Sequence, residues 1–227
     1  MSFNRAGAAF GLVYIVLGVT WVTVANAPSS ALLVAWFVIV AVFGGFVPGI
    51  ANQVSLARAH LAAPALVYSL SSDRLGYLAI VLAVAGLTDL VDGTIARRFD
   101  KPSRLGGGLD PVVDGILLGA VAVGLAVGGI FPLWLAAVIV LRYLLPAVAA
   151  LVLLSMGRRP ELRHTVSGQL STALIIVLVG GLCLFRFMNQ DARNVVIGAE
   201  IVIPIATVAT FVHLGLLARR SMRVGGG

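Results

Sequence analysis

Short polar breaks divide this chain into eight apolar runs, each long enough for a helix to cross the hydrocarbon core of a bilayer. The runs cover approximately residues 8–26, 31–50, 53–71, 75–97, 106–127, 131–155, 166–187 and 194–218. The breaks carry turn chemistry, as in Ala27-Pro28-Ser29-Ser30, Ser71-Ser72-Asp73, Lys101-Pro102-Ser103, Gly128-Gly129 and Asn189-Gln190-Asp191. A water-soluble fold of 227 residues has no interior large enough for a chain that is 60% hydrophobic and 11% charged. The expected fold class is therefore all-α, a polytopic membrane helical bundle. Its 26 glycines suit helices that approach one another closely in lipid. Arg5 followed by an apolar run imitates a signal peptide, but the run is long for one and a second follows at once, so it is read as a retained helix. The single cysteine, Cys183, lies inside an apolar run and is expected to be a packing residue without a redox role.

The net charge of +7 is not gathered into a nucleic-acid-binding domain. With the N-terminus inside, the cytoplasmic positions receive Arg5, Arg58, Arg97, Arg98, Lys101, Arg104, Arg158, Arg159, Arg163, Arg219, Arg220 and Arg223. The opposite side receives Arg74, Arg186 and Arg193, and Arg142 falls within a run. This excess predicts both termini on the cytoplasmic side of the cytoplasmic membrane, with basic residues facing anionic lipid headgroups and no nucleic-acid partner.

Four aspartates interrupt the apolar pattern: Asp89 and Asp92 near the end of the fourth run, Asp110 and Asp114 near the start of the fifth. Ionised carboxylates at a membrane boundary repel one another and are costly unless a cation neutralises them. On helices, Asp89, Asp92 and Ala96 share one stripe, and Asp110 and Asp114 share another with Gly106 one turn before. The short basic loop between the runs predicts antiparallel neighbours whose stripes face each other. Such an oxygen-rich cage suits Mg²⁺ or Mn²⁺, with two ions able to clamp a phosphoryl group. Gly93, Ala96 and Gly106 keep the wall low for a bulky ligand, and Arg97 offers charge to a phosphate. The expected site lies at the inner leaflet boundary.

The pattern Asp89-x2-Asp92-Gly93-x2-Ala96-Arg97-x8-Gly106-x3-Asp110-x3-Asp114 closely resembles the signature of the CDP-alcohol phosphotransferase (CDP-alcohol phosphatidyltransferase) family of integral membrane enzymes. Asn52, Ser55 and Arg58 look like the Asn-x-x-Ser/Thr-x-x-Arg opening of that family's first core helix. The resemblance implies a six-helix catalytic core at residues 51–220, preceded by two added transmembrane helices at 1–50 and followed by a flexible tail at 221–227. It implies transfer of a phosphatidyl group from CDP-diacylglycerol to an acceptor hydroxyl, with release of CMP, in phospholipid biosynthesis. By position, Asp89, Asp92 and Asp110 would be principal metal ligands, and Asp114 would complete the cage and act as general base. Asn52, Ser55, Gly93, Ala96, Arg97 and Gly106 would bind the nucleotide. A homodimer is also implied.

The acceptor is less constrained. Candidates are glycerol 3-phosphate, inositol phosphate, another polyol phosphate, serine or a lipid hydroxyl. Arg142 in mid-membrane and the basic loop with Arg158 and Arg163 favour a small polar, phosphorylated acceptor. A structural pairing of Arg142 with Glu200 is the alternative. Two departures weigh against glycerol phosphate: Gln169 follows Gly168, and Gly115 follows Asp114, where relatives that use it often carry Lys. The converse assignment, a soluble CDP-alcohol donor with a lipid acceptor, uses the same motif. A divalent-cation transporter would need polar residues through the membrane depth, and the outer halves of the fourth and fifth runs are almost wholly apolar.

Overall fold

The computed structural model describes residues 5–27, 30–98, 104–155 and 166–224. Among them are eight α-helices: α1 (Arg5–Val24), α2 (Ser30–Gly44), α3 (Ile50–Ser69), α4 (Leu75–Arg98), α5 (Arg104–Val127), α6 (Leu133–Ser155), α7 (Val166–Phe187) and α8 (Arg193–Val224). The all-α architecture and the number of segments agree with the reading of the sequence. Three helix ends close in the same way. Asn26, Gly129 and Asn189 adopt positive φ, and the next amide reaches back five residues, from Ala27 to Val22, Ile130 to Leu125 and Gln190 to Phe185. This left-handed closure satisfies carbonyls that a helix end would otherwise leave bare.

Two boundaries differ from expectation. The second apolar run was expected to continue to residue 50, but α2 stops at Gly44. The amides of Phe46 and Val47 tighten to i−3 bonds, Pro48 has no amide to continue the helix, and Gly49 takes φ 94°. Apolarity alone carried the sequence boundary across this turn, where Pro48-Gly49 was the better signal. At the other end of the chain, α8 runs on to Val224, past the expected end at 218.

The chain is an integral membrane protein. By length and composition, four helical stretches among the described residues are long and apolar enough to cross a membrane: Arg5–Val24, Leu109–Val127, Gly168–Phe187 and Arg193–Leu216. Ala31–Gly44 and Leu133–Ala149 are shorter apolar helices. Helix α3 is absent from both groups because it carries Asn52, Gln53, Ser55, Arg58 and His60, all buried. It is instead the enclosed centre of the bundle, packed against α5 and α4 and touched by α2 and α1. The neighbouring helices shield its polar groups from lipid. Helices α4 and α5, expected to lie along each other, both make their main described contact with α3.

The main apolar core joins α3 to α8 through Leu75, Leu82, Leu117, Leu125, Leu135, Ile139, Ile175, Leu182 and Ile203, with Cys183 fully buried among them. At its outer end α3 meets α5 at very close range. A Cβ on Gly124 would collide with the Ser69 side chain and lie 3.0 Å from the Leu66 carbonyl oxygen. One on Gly128 would lie 2.9 Å from the carbonyl oxygens of Ser69 and Leu70. Only glycine permits this backbone approach.

Candidate active site

At its other end the same helix pair is joined by charge. Asp110 and Asp114, one turn apart on α5, present their carboxylates to α3. Arg58, 2% exposed, donates through Nη1 to Asp114 Oδ1 at 2.6 Å and through Nη2 to Asp110 Oδ1 at 3.3 Å. The planar guanidinium has two donors at a spacing that spans an i, i+4 carboxylate pair, which a lysine ammonium cannot do. The side chains of Asp110 and Asp114 remain 26% and 15% exposed, so the arginine holds them from the buried side while part of each stays reachable.

The charge count placed Arg58 at a cytoplasmic position, and the resemblance put it in the opening of the first core helix. On that helix it is buried and paired with both carboxylates. An arginine within an apolar segment is costly without a partner, and that argument, applied to Arg142, identifies Arg58 as well.

Ser55 and Asn52 lie on α3 about one and two turns before Arg58 and are buried. Asn52 Nδ2 donates to the Pro48 carbonyl at 2.6 Å, which ties it to the start of its own helix. Asp89, Asp92, Gly93, Ala96 and Arg97 fall on the last turns of α4, and Gly106 on the first turn of α5. Their side-chain positions lie outside the described residues, as do Arg158 and Arg163 altogether.

Arg142 is 5% exposed on α6. It donates through Nη1 to Thr210 Oγ1 at 3.2 Å and through Nη2 to the Gly168 carbonyl at 3.1 Å, and its guanidinium carbon lies 5.4 Å from the Tyr143 ring centroid. The alternative pairing with Glu200 does not form. Glu200 is ten residues from Thr210 on α8, about 15 Å along the helix axis at helical rise. Tyr143, which the sequence did not single out, bonds Thr172 Oγ1 at 3.0 Å and covers Gly115, where a Cβ would lie 2.8 Å from Tyr143 Cβ. The position after Asp114 thus has no room for the lysine of glycerophosphate-using relatives.

Among the described residues, no third His, Cys, Asp or Glu joins Asp110 and Asp114. The donors present fit a hard divalent cation: carboxylate oxygens on one helix face, partly exposed on the side away from Arg58.

The sequence pattern of the CDP-alcohol phosphatidyltransferase family matches residues 49–212, most of the chain, from the turn before α3 into α8. The chain belongs to the CDP-alcohol phosphatidyltransferase family. Members of this family use divalent metal ions. The chain is similar to a putative cardiolipin synthase of Mycobacterium tuberculosis, 33% identical over 138 residues, 60% of this chain and 59% of the relative. It is similar to a probable cardiolipin synthase (CMP-forming) of Drosophila melanogaster, 36% identical over 94 residues, 41% of this chain and 29% of the relative. The human cardiolipin synthase (CMP-forming) is 39% identical over 94 residues, 41% of this chain and 31% of the relative. The matches thus span less than two thirds of each relative's length. Helices α1 and α2 precede the region that defines the phosphatidyltransferase family.

Proposed function

We propose that this phosphatidyltransferase moves the phosphatidyl group of CDP-diacylglycerol onto a hydroxyl of phosphatidylglycerol, releasing CMP and forming cardiolipin. The observation that carries the reading is the Asp110–Arg58–Asp114 constellation inside the region that matches the family. The names of the similar relatives, cardiolipin synthases (CMP-forming), support the lipid acceptor. So does Tyr143 over Gly115, which removes the space for a glycerophosphate-binding lysine. Among the acceptors considered from sequence, the lipid hydroxyl is thereby preferred to the small phosphorylated ones.

Asp89, Asp92, Asp110 and Asp114 would hold Mg²⁺ or Mn²⁺, in one or two ions. When bound, the metal neutralises the diphosphate of the donor and the charge that develops on the leaving phosphate. Asp114 accepts the proton of the acceptor hydroxyl as its oxygen forms a bond to the donor's β-phosphorus, the one bearing the diacylglycerol. The bond from that phosphorus to the bridging oxygen breaks, and CMP leaves with the oxygen. Arg58 keeps Asp110 and Asp114 aimed through the transfer. Arg97, with Gly93, Ala96 and Gly106, holds the cytidine diphosphate, and Asn52 and Ser55 line the same side from α3. Arg142, one helix away, meets the acceptor's phosphate. The active site opens to the inner leaflet of the cytoplasmic membrane, with both termini cytoplasmic.

The test is CMP release by the purified chain in nanodiscs with CDP-diacylglycerol and Mg²⁺ or Mn²⁺. Phosphatidylglycerol, glycerol 3-phosphate, inositol phosphate and serine are supplied one at a time. Metal-dependent release with phosphatidylglycerol alone is expected, with chelation abolishing it. Release with a soluble acceptor and none with phosphatidylglycerol would overturn the choice of acceptor.

A further inference from the structure

Helices α1 and α2 lie outside the family-matching region, yet they grip the helix that carries Arg58. Gln53, five residues before Arg58, is 2% exposed. Its Nε2 donates to the carbonyls of Gly44 at 2.7 Å, the end of α2, and Val47 at 2.8 Å, in the turn after it. Its own main-chain carbonyl accepts the hydroxyl of Tyr14 from α1. On the other side of Arg58, Trp36 of α2 donates from its indole nitrogen to the Ala59 carbonyl at 2.9 Å. The His60 ring lies 5.3 Å from the ring of Tyr14 and 4.5 Å from that of Phe37. The backbone of α3 is therefore held by directional contacts just before and just after Arg58, all of them from α1 and α2. A third contact, Trp21 Nε1 to Tyr68 Oη at 2.6 Å, holds the same three-helix interface ten residues further along α3.

Burial of apolar surface alone gives little preference for one register of helices in lipid, whereas hydrogen bonds to main-chain carbonyls fix it. We propose that the α1–α2 hairpin is a positioning device for the reaction. On this proposal Gln53, seconded by Tyr14, sets the register of α3 so that Arg58 meets Asp110 and Asp114. The inference rests on the phosphatidyltransferase reading of the site. Gln53 touches no reacting atom. Its effect travels through one turn and a half of α3 to a guanidinium that orients two metal-binding carboxylates.

The test uses the full chain in nanodiscs and two readouts: Mn²⁺ affinity by electron paramagnetic resonance titration, and CMP release as a function of Mn²⁺. Partners that orient metal ligands typically change affinity or activity by about 10–100-fold, so Gln53→Met, one step further out, is expected to weaken Mn²⁺ binding roughly 3–10-fold and lower kcat by about tenfold. KM for CDP-diacylglycerol should stay unchanged. Tyr14→Phe, which removes a single hydroxyl, should shift both readouts in the same direction by less, and it carries the test if Gln53→Met does not fold. Trp21→Phe breaks the same interface away from Arg58 and should lower thermal stability without moving Mn²⁺ affinity or kcat. Wild-type Mn²⁺ affinity and kcat in both Gln53→Met and Tyr14→Phe would overturn the proposal. An equal shift in Trp21→Phe would also overturn it, since general loosening then explains the effect. Mn²⁺ binding without CMP release from the unaltered chain would remove the transferase reading, leaving the affinity series to decide the positioning role. No Mn²⁺ binding at all would end both.

Discussion

Helices α3 and α5 meet twice, and the two meetings follow opposite rules. At one end Arg58 spans Asp110 and Asp114, and the carboxylates stay partly exposed. At the other, Gly124 and Gly128 bring α5 onto the backbone of α3 at Ser69 and Leu70, and Ser69 is fully buried. The glycine end is held by contact over many atoms, so any added atom is felt there. The charged end adds an ion-paired triad to the packing of Val113 with Leu56 and Ala59, and it leaves open space beside the carboxylates. A single pair of helices thus separates rigidity from reactivity along its length: the tight end fixes how far apart the helices are, and the charged end uses that spacing.

Removing the proposed general base should have the largest effect. Asp114→Asn is expected to lower CMP release by about 10²–10⁴-fold, the usual range for a positioned acid or base. Its thermal unfolding midpoint should change by comparison little, because Arg58 still has Asp110. If Asp114→Asn retains most of its turnover, proton transfer belongs to another group. Next comes Arg58→Leu, which leaves two neighbouring carboxylates without their buried cation. Breaking a buried pair costs about 3–5 kcal/mol, so this variant should lose both thermal stability and CMP release. Arg58→Lys should recover charge but not the fork, restoring stability more than turnover. Equal recovery of the two would show that geometry at this end matters less than charge.

At the glycine end the pattern should reverse. Gly124→Ala is expected to cost about 1–3 kcal/mol by overpacking, read as a lower unfolding temperature, while the Mn²⁺ dependence of turnover is unchanged. A changed metal requirement would mean that the two ends are not separable. The smallest effect belongs to Ser69→Ala, which loses the hydroxyl bond to the Leu66 carbonyl at 2.7 Å and should cost about 0.5–1.5 kcal/mol. Combined with Gly124→Ala it should cost less than the sum, because it removes the atom the new methyl would strike.

Much of this was legible before any coordinates. Apolar run lengths located the helices because lipid imposes the same length on every span, and Asp110 and Asp114 share a face as their spacing requires. What escaped was lateral order. Hydropathy averages over a helix and reports its surroundings, not its neighbours, so it did not show that α4 and α5 would both pack against α3. Arg58 was matched to the opening of the first core helix, but its partners on α5 were not foreseen, although Asn52, Gln53, Ser55 and His60 around it read together as one polar helix. Arg142 was correctly set apart as needing a partner, but Thr210 and the Gly168 carbonyl are ordinary residues that no spacing singles out.

The enclosed position of α3 also dictates an order of assembly. A helix with a central arginine and several amides is a poor candidate to enter lipid alone, at about 2.5–3.5 kcal/mol for the arginine near the centre of a span. Chain order delivers α1 and α2 to the translocon first, so α3 can leave it against a surface that already pairs the Gln53 amide nitrogen and surrounds His60. Arg58 then waits for α5, synthesised about fifty residues later at about 5–20 residues per second. During those few seconds the guanidinium is the costliest group in the nascent bundle, and the arrival of Asp110 and Asp114 pairs it before the last three helices are made.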